Sequence, residues 1–283
     1  MAAIALGLLS SLLWGLSDYL GGLKSRTFPV PVVLAMMYLS SLAVTLAFVA
    51  ARGEGPPPAE NVLAALGAGL VGIAGLSAFY RALAIGTMSI VAPIASTGVA
   101  LPVIVGLIGG DRPGLLRSAG LVLAVVGIVL ASREDDASAA NVRHQRLSIL
   151  LAIIAALGFG SYFVLAEVAS DGDVGWALVL SRTSAFPIIA TIALVVLRRA
   201  GVRPGGRELA VLAGIGLLDL GANFLYNYAS TIGELSSVAV ASSLYPVTTV
   251  MLAALLLGER VQGVQRAGVV IALVGVVAIA AGG

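Results

Sequence analysis

Polar residues along the chain gather in short clusters, and between them run stretches of about 20 mostly apolar residues, the length that carries an α-helix across ~30 Å of hydrocarbon. Ten such stretches can be marked, at about 3–23, 30–51, 61–83, 88–109, 114–132, 147–167, 175–197, 208–230, 235–257 and 263–281. Lipid offers no partner to an unpaired backbone N–H or C=O, so each is expected to be helical. The intervening clusters carry turn residues and most of the charge, as in "ARGEGPPPAEN", "GGDRPG", "SREDDASAANVRHQR" and "RRAGVRPGGRE". The opening "MAAIALGLLSSLLWG" has no basic leader and runs past the length of a signal-peptide core, so it is read as the first span.

Composition strengthens the membrane reading. Of 283 residues, 59% are hydrophobic and 11% charged, and mean hydropathy is +1.07. A soluble domain carries about a quarter charged residues. The 35 glycines suit close helix–helix packing in lipid. There is no cysteine, and the single histidine, His144, lies in a polar connector. Disulfides, thiolate chemistry and a Cys/His metal site are thereby excluded, and no metal or organic cofactor is expected. The net charge of +2 is scattered over short connectors, which argues against a nucleic-acid-binding face.

The chain repeats itself. At a spacing of 147, Ile85, Gly86, Ser89, Val91 and Ala92 meet Ile232, Gly233, Ser236, Val238 and Ala239. After one inserted residue the spacing is 148, and Gly110, Arg112, Ala119, Gly120, Ala124 and Gly127 meet Gly258, Arg260, Ala267, Gly268, Ala272 and Gly275. Asp111 falls opposite Glu259. The expected organisation is a first repeat at 1–132, a polar linker at 133–146 and a second repeat at 147–283. Five spans per repeat is odd, so the halves would cross in opposite senses. The fold class expected is an all-α membrane protein of ten transmembrane helices in two inverted five-helix repeats, an arrangement in which substrate sites lie near the membrane midplane.

Several stretches carry a resemblance to a known family: "LLWGLSDYLGG" in span one, "FYRALAIGTMSIVAPIASTGVALPVIVGLIGGDR" across spans three and four, and "NYASTIGELSSVAVASSLYPVTTVMLAALLLGER" across eight and nine. Together with the "GER" that precedes a glycine-rich last span, they resemble the EamA-like ten-helix members of the drug/metabolite transporter superfamily. Asp111 stands where the family's pattern has a glutamate, also a carboxylate. The resemblance implies a multi-pass protein of a prokaryotic cytoplasmic membrane that moves small metabolites, amino acids among them, by alternating access and in many relatives outward. It names no substrate and no oligomeric state.

Span eight carries the most chemistry. Asp219, Asn223, Tyr226, Asn227 and Ser230 recur at i, i+4, i+7, i+8 and i+11, one face of a helix. Asp219 lies 11 residues after Glu208, roughly 16 Å along the helix and near mid-bilayer. An acid there costs about 3 kcal/mol on insertion scales, so it is expected to face a cavity or a partner; inert interhelical glue is the alternative. Arg182 in span seven and Asp18 in span one are the other intramembrane charges, and EamA-like proteins often carry an arginine in the helix of Arg182. Arg182 or Arg81 would neutralise Asp219, or Arg182 would take a substrate carboxylate. Trp14, Tyr80, Tyr162, Tyr226 and Tyr245 are expected to shape a cavity with them. Pro93, Pro102 and Pro246, within spans four and nine, are expected to bend those helices for gating.

The one lysine, Lys24, belongs to no phosphate-binding loop, so transport would run on a gradient or by exchange, with Asp219 or Asp18 the candidate carrier of a coupling proton. Connectors after odd-numbered spans hold 11 of the Lys and Arg residues, and those after even-numbered spans with the termini hold 3. The positive-inside rule would put both termini outside, whereas the family usually holds them in the cytoplasm. No nucleophile with a base can be assembled in the membrane, so no enzyme is expected. A flippase for lipid-linked substrates and a non-transporting partner subunit remain the alternatives to a metabolite exporter.

Overall fold

The structure, a computed structural model, describes residues 2–108, 114–131, 139–200, 204–232, 241–242, 244–259 and 263–281. It is helical, with no strand among the described residues. The elements are α1 (Ala2–Ser25), α2 (Val30–Arg52), α3 (Ala59–Ile85), α4 (Met88–Ser96), a 3₁₀ turn (Thr97–Val99), α5 (Ala100–Ile108), α6 (Leu115–Ala131), α7 (Ala139–Gly172), α8 (Val174–Ala200), α9 (Gly206–Ile232), α10 (Tyr245–Leu257) and α11 (Gly263–Ala281).

Six helices are long and apolar enough to cross a membrane: α1, α2, α3, α7, α8 and α9. Among the described residues, the apolar segments of spans four, five, nine and ten give shorter apolar helices. Span four breaks at Thr97–Val99. Pro102 has no N–H to give the carbonyl of Gly98, so the backbone tightens into a 3₁₀ turn four residues before it. Pro93 stays inside α4. Pro246 lies in the first turn of α10, after the turn residue Leu244. A first-turn proline gives up a donor that had no intrahelical acceptor. Leu244 stands 147 positions after Thr97, so the interruptions in spans four and nine fall at matching places of the two repeats. The side chain of Pro102 is outside the described residues, as are Gly110, Asp111, Arg112, Gly233, Ser236, Val238, Ala239 and Arg260 of the repeat pattern.

Helix α7 begins at Ala139, inside the stretch expected as a polar linker. Ala, Arg and Gln are good helix formers, and a helix that projects beyond the lipid need not stop where hydropathy falls.

The halves interlock in a regular way: α1 lies on α9, α2 on α8, α3 on α7, α4 on α10 and α6 on α11. In span numbers these pairs are 1 with 8, 2 with 7, 3 with 6, 4 with 9 and 5 with 10, a set that maps onto itself when the halves are exchanged. Small residues permit the approach. A methyl group on Gly158 would sit 2.6 Å from the Cα of Gly75, so α3 and α7 cross backbone to backbone. Hydroxyls stitch the seams: Ser10 donates to the Ala222 carbonyl at 2.8 Å, Ser17 to Ile215 at 3.1 Å and Ser40 to Ala213 at 3.0 Å.

Alternating helix directions define two faces. One holds the start of α1 and the end of α11 and is called the terminal face. The other, reached after α1, α3, α6, α8 and α10, carries most of the basic residues and is called the basic face. The main core, with Leu34, Met37, Phe79, Leu83, Met88 and Ile94, occupies the half toward the basic face. Toward the terminal face the buried clusters are small, one built on Ala64, Ala65, Ala169 and Ala177, another on Ala3 and Ala229.

Candidate functional site

The buried charges meet between α8 and α9. Arg182 enters from α8 and Asp219 from the middle of α9, and Arg182 Nη2 lies 2.8 Å from Asp219 Oδ2. Their side chains are 5% and 17% exposed, so the pair is a desolvated one rather than a surface ion pair. Tyr38 of α2 lies under the guanidinium, 4.7 Å from ring centroid to Cζ, where the ring's negative face adds to the neutralisation. Sequence reasoning missed Tyr38. Its signal was an aromatic hydroxyl beside Ser40 and Ser41 within an apolar run. Of the two cations offered to Asp219, Arg182 is the one that reaches it, and Arg81 is exposed at the end of α3.

The stripe on α9 is divided. Asn223 donates to the Asp219 backbone carbonyl at 2.7 Å and accepts from the Tyr162 hydroxyl at 3.3 Å, so it ties α9 to α7. This is the glue role weighed against a cavity role. Asn227 borders a narrow pocket with Ala68, Tyr162, Ala166, Ala169, Ser170, Ala177, Leu178 and Ser181. The pocket leaves a cavity of only about 10 Å³ and runs from Ser181, the neighbour of Arg182, toward the terminal face. Metabolite sites usually need ~300–1,000 Å³, so admitting a substrate requires the helices to part. The side chain of Ser230 is outside the described residues.

An aromatic cluster stands on the other side of the charges. The Trp14 ring of α1 is 5.7 Å from that of Tyr226 and 6.1 Å from that of Tyr245. Asp18 lies one turn beyond Trp14 on α1 and is 8% exposed. It forms no ion pair with another described residue. The interrupted helix is at hand, since Tyr245 opens α10. Tyr80 belongs to the core: it is fully buried against Phe79, and its hydroxyl donates to the Ser17 carbonyl at 3.4 Å. In this conformation it faces α1 rather than the pocket. Among the described residues no three of His, Cys, Asp and Glu gather as metal ligands.

The buried ion pair is thus flanked by aromatic rings and by two helices broken at equivalent places. The EamA-like transporter family model matches residues 1–133 and again 146–281, nearly the whole chain in two copies. The chain belongs to the EamA-like transporter family. It is thus a multi-pass membrane transporter. Among solved structures, one described as "Crystal structure of protein" superposes with a TM-score of 0.66 at 21% identity, covering 98% of this chain and 96% of that one. At that identity the likeness concerns the fold alone. A sequence search of curated proteins found no match.

Proposed function

We propose that this EamA-like protein is a secondary transporter that exports a small amino-acid-like metabolite across a prokaryotic cytoplasmic membrane by alternating access. Its two repeats would be inverted relative to one another. The reading rests on the buried Arg182–Asp219 pair at the centre of the helix bundle. Lipid-buried charge is costly and persists where it serves a path or a substrate. One guanidinium nitrogen is held by Asp219, and Nε has no partner among the described residues, so the cation keeps capacity for a substrate carboxylate. Trp14, Tyr226 and Tyr245 would hold the apolar part of the same molecule, with Asn227 at the pocket wall. Pro93, Pro102 and Pro246 would serve gating through the broken helices of spans four and nine.

Trp14 supplies the test. The chain has two tryptophans, so Trp176→Phe leaves Trp14 as the sole reporter. In liposomes, a transported amino-acid-like solute should change Trp14 emission in a saturable way and raise the melting temperature. A ligand at 100 times its dissociation constant adds about 2.7 kcal/mol. If only lipid-linked molecules gave both signals, the flippase reading would replace this one.

A coupling proton belongs to the same proposal, on Asp18. Asp219 has a fixed cation, whereas Asp18, 8% exposed, forms no ion pair with another described residue. A proton is the counter-ion that can come and go. Asp18→Asn should leave exchange of substrate across the membrane near the parental rate while abolishing its acceleration by a pH gradient. Acceleration that survives in Asp18→Asn would remove Asp18 from this role.

A further inference from the structure

Glu259 follows α10 on the basic face, and its carboxylate ties that end to two other elements. Oε1 accepts from Arg26 Nη2 at 3.0 Å, in the connector between α1 and α2. Oε2 accepts from the backbone N–H of Ser89 at 3.1 Å and from its hydroxyl at 3.2 Å, in the first turn of α4. The same Arg26 nitrogen reaches the Gly86 carbonyl at 3.5 Å, just before α4. Glu259 is 13% exposed in its side chain and Arg26 31%. These are charge-assisted bonds, and a carboxylate at the start of α4 also meets the positive end of that helix's dipole. The backbone is shaped for the task. Gly258 adopts φ +65, a left-handed conformation that ends α10, and the Glu259 N–H then donates to the Ala253 carbonyl at 3.3 Å.

The placement gives this contact its meaning. Arg26 and Ser89 belong to the first half and Glu259 to the second, so the contact crosses between halves. It holds α4, the outer piece of the interrupted span four, at the end away from the break. It caps the half of the bundle that the main core already fills, while the pocket runs to the opposite face. On that terminal face a separate ion pair, Arg52 with Asp173 at 2.8 Å, links α2 to the α7–α8 junction, and Arg52 also contacts Glu54.

We propose that Glu259 is the latch of the basic face: it clamps the start of α4 and the α1–α2 connector shut, and must release both for that face to open. The proposal rests on the alternating-access reading, because a latch matters only where a face opens. Its residues neither line the pocket nor touch the Arg182–Asp219 pair.

The absence of cysteine makes the test direct, since one introduced thiol reports without background. Ala92→Cys is placed on α4, one turn past Ser89 and fully buried in the basic-face core, and Ala177→Cys on the pocket wall toward the terminal face. Each is combined with Glu259→Gln in protein reconstituted in liposomes, and reaction with a water-soluble maleimide is timed. Glu259→Gln should speed labelling of Cys at 92 about fivefold or more and leave or slow labelling at 177, the population shift expected from losing one charge-assisted tie. Ser89→Ala, which keeps the backbone N–H bond, should speed labelling at 92 less. An unchanged rate at 92 would overturn the latch, and equal acceleration at both positions would overturn it in favour of general loosening. The readout needs no substrate. Faster labelling at 92 with no solute ever transported would therefore leave the latch standing and remove the exporter.

Discussion

Asp219→Ala is expected to destabilise the protein by about 3–5 kcal/mol and to abolish transport, because it strands the Arg182 guanidinium in the bundle without its anion. The Tyr38 ring beneath the guanidinium and the neighbouring hydroxyls soften the loss without replacing a charge. Arg182→Ala should cost a similar amount, since it leaves the buried Asp219 without its cation. The double variant Arg182→Met/Asp219→Leu separates folding from function. Replacing a buried ion pair by apolar residues of similar volume is often neutral or stabilising by about 1–4 kcal/mol, so this variant should melt near the parent while moving no substrate. Melting in detergent and flux in liposomes decide the matter together. A double variant that transports would show the pair to be structural glue. Single variants with parental melting would show that the charges are not desolvated together.

The second large effect concerns a residue with no polar atom in its side chain. Gly69 of α3 faces α8 at Ser181, the residue before Arg182. A methyl group there would stand 2.8 Å from the Ser181 carbonyl carbon and would collide with that carbonyl's oxygen and with the Ser184 hydroxyl. The obstacle is backbone, which cannot rotate away, and the two added methyls of valine must push α3 off α8. Gly69→Val should cost about 1–3 kcal/mol or more by overpacking, and transport should fall further than stability, since α8 carries Arg182 into the centre. The Ser184 bond to the Leu66 carbonyl, now 2.9 Å, should be lost in the same movement. Gly69→Ala should show the same trend with a smaller shift. Melting temperature and flux measured side by side test this. A valine variant with parental melting would mean that α3 and α8 do not approach as closely as described.

Legibility from sequence followed the physics of each feature. The positions of the long helices could be read because hydrocarbon imposes a length and an apolar composition that nothing else in a sequence mimics. The duplication could be read because "GDR" and "GER" recur at a fixed spacing amid otherwise interchangeable residues. Asp219 stood out by the cost of an acid at that depth. Arg182 was singled out for the same reason, yet its choice over Arg81 as partner needed coordinates. Both are arginines in apolar runs, and only the packing of α8 on α9 separates them. Tyr80 and Tyr245 looked equivalent as aromatic residues in spans. One is sealed in the core and the other sits beside Trp14, a difference set by which neighbour covers each ring.

Glu259 illustrates the remaining gap. In sequence it was one half of a repeat signature and gave no hint of Arg26, which lies 233 positions away. The sequence by itself determined that the chain lives in lipid, that it holds two copies of one family unit, and where charge is buried, because these follow from composition, spacing and the solvation of single residues. Only the tertiary structure decided which charges meet, where spans four and nine break, and that packing is heavier toward one face. Those outcomes depend on distances between residues far apart in the chain, and no local pattern encodes them.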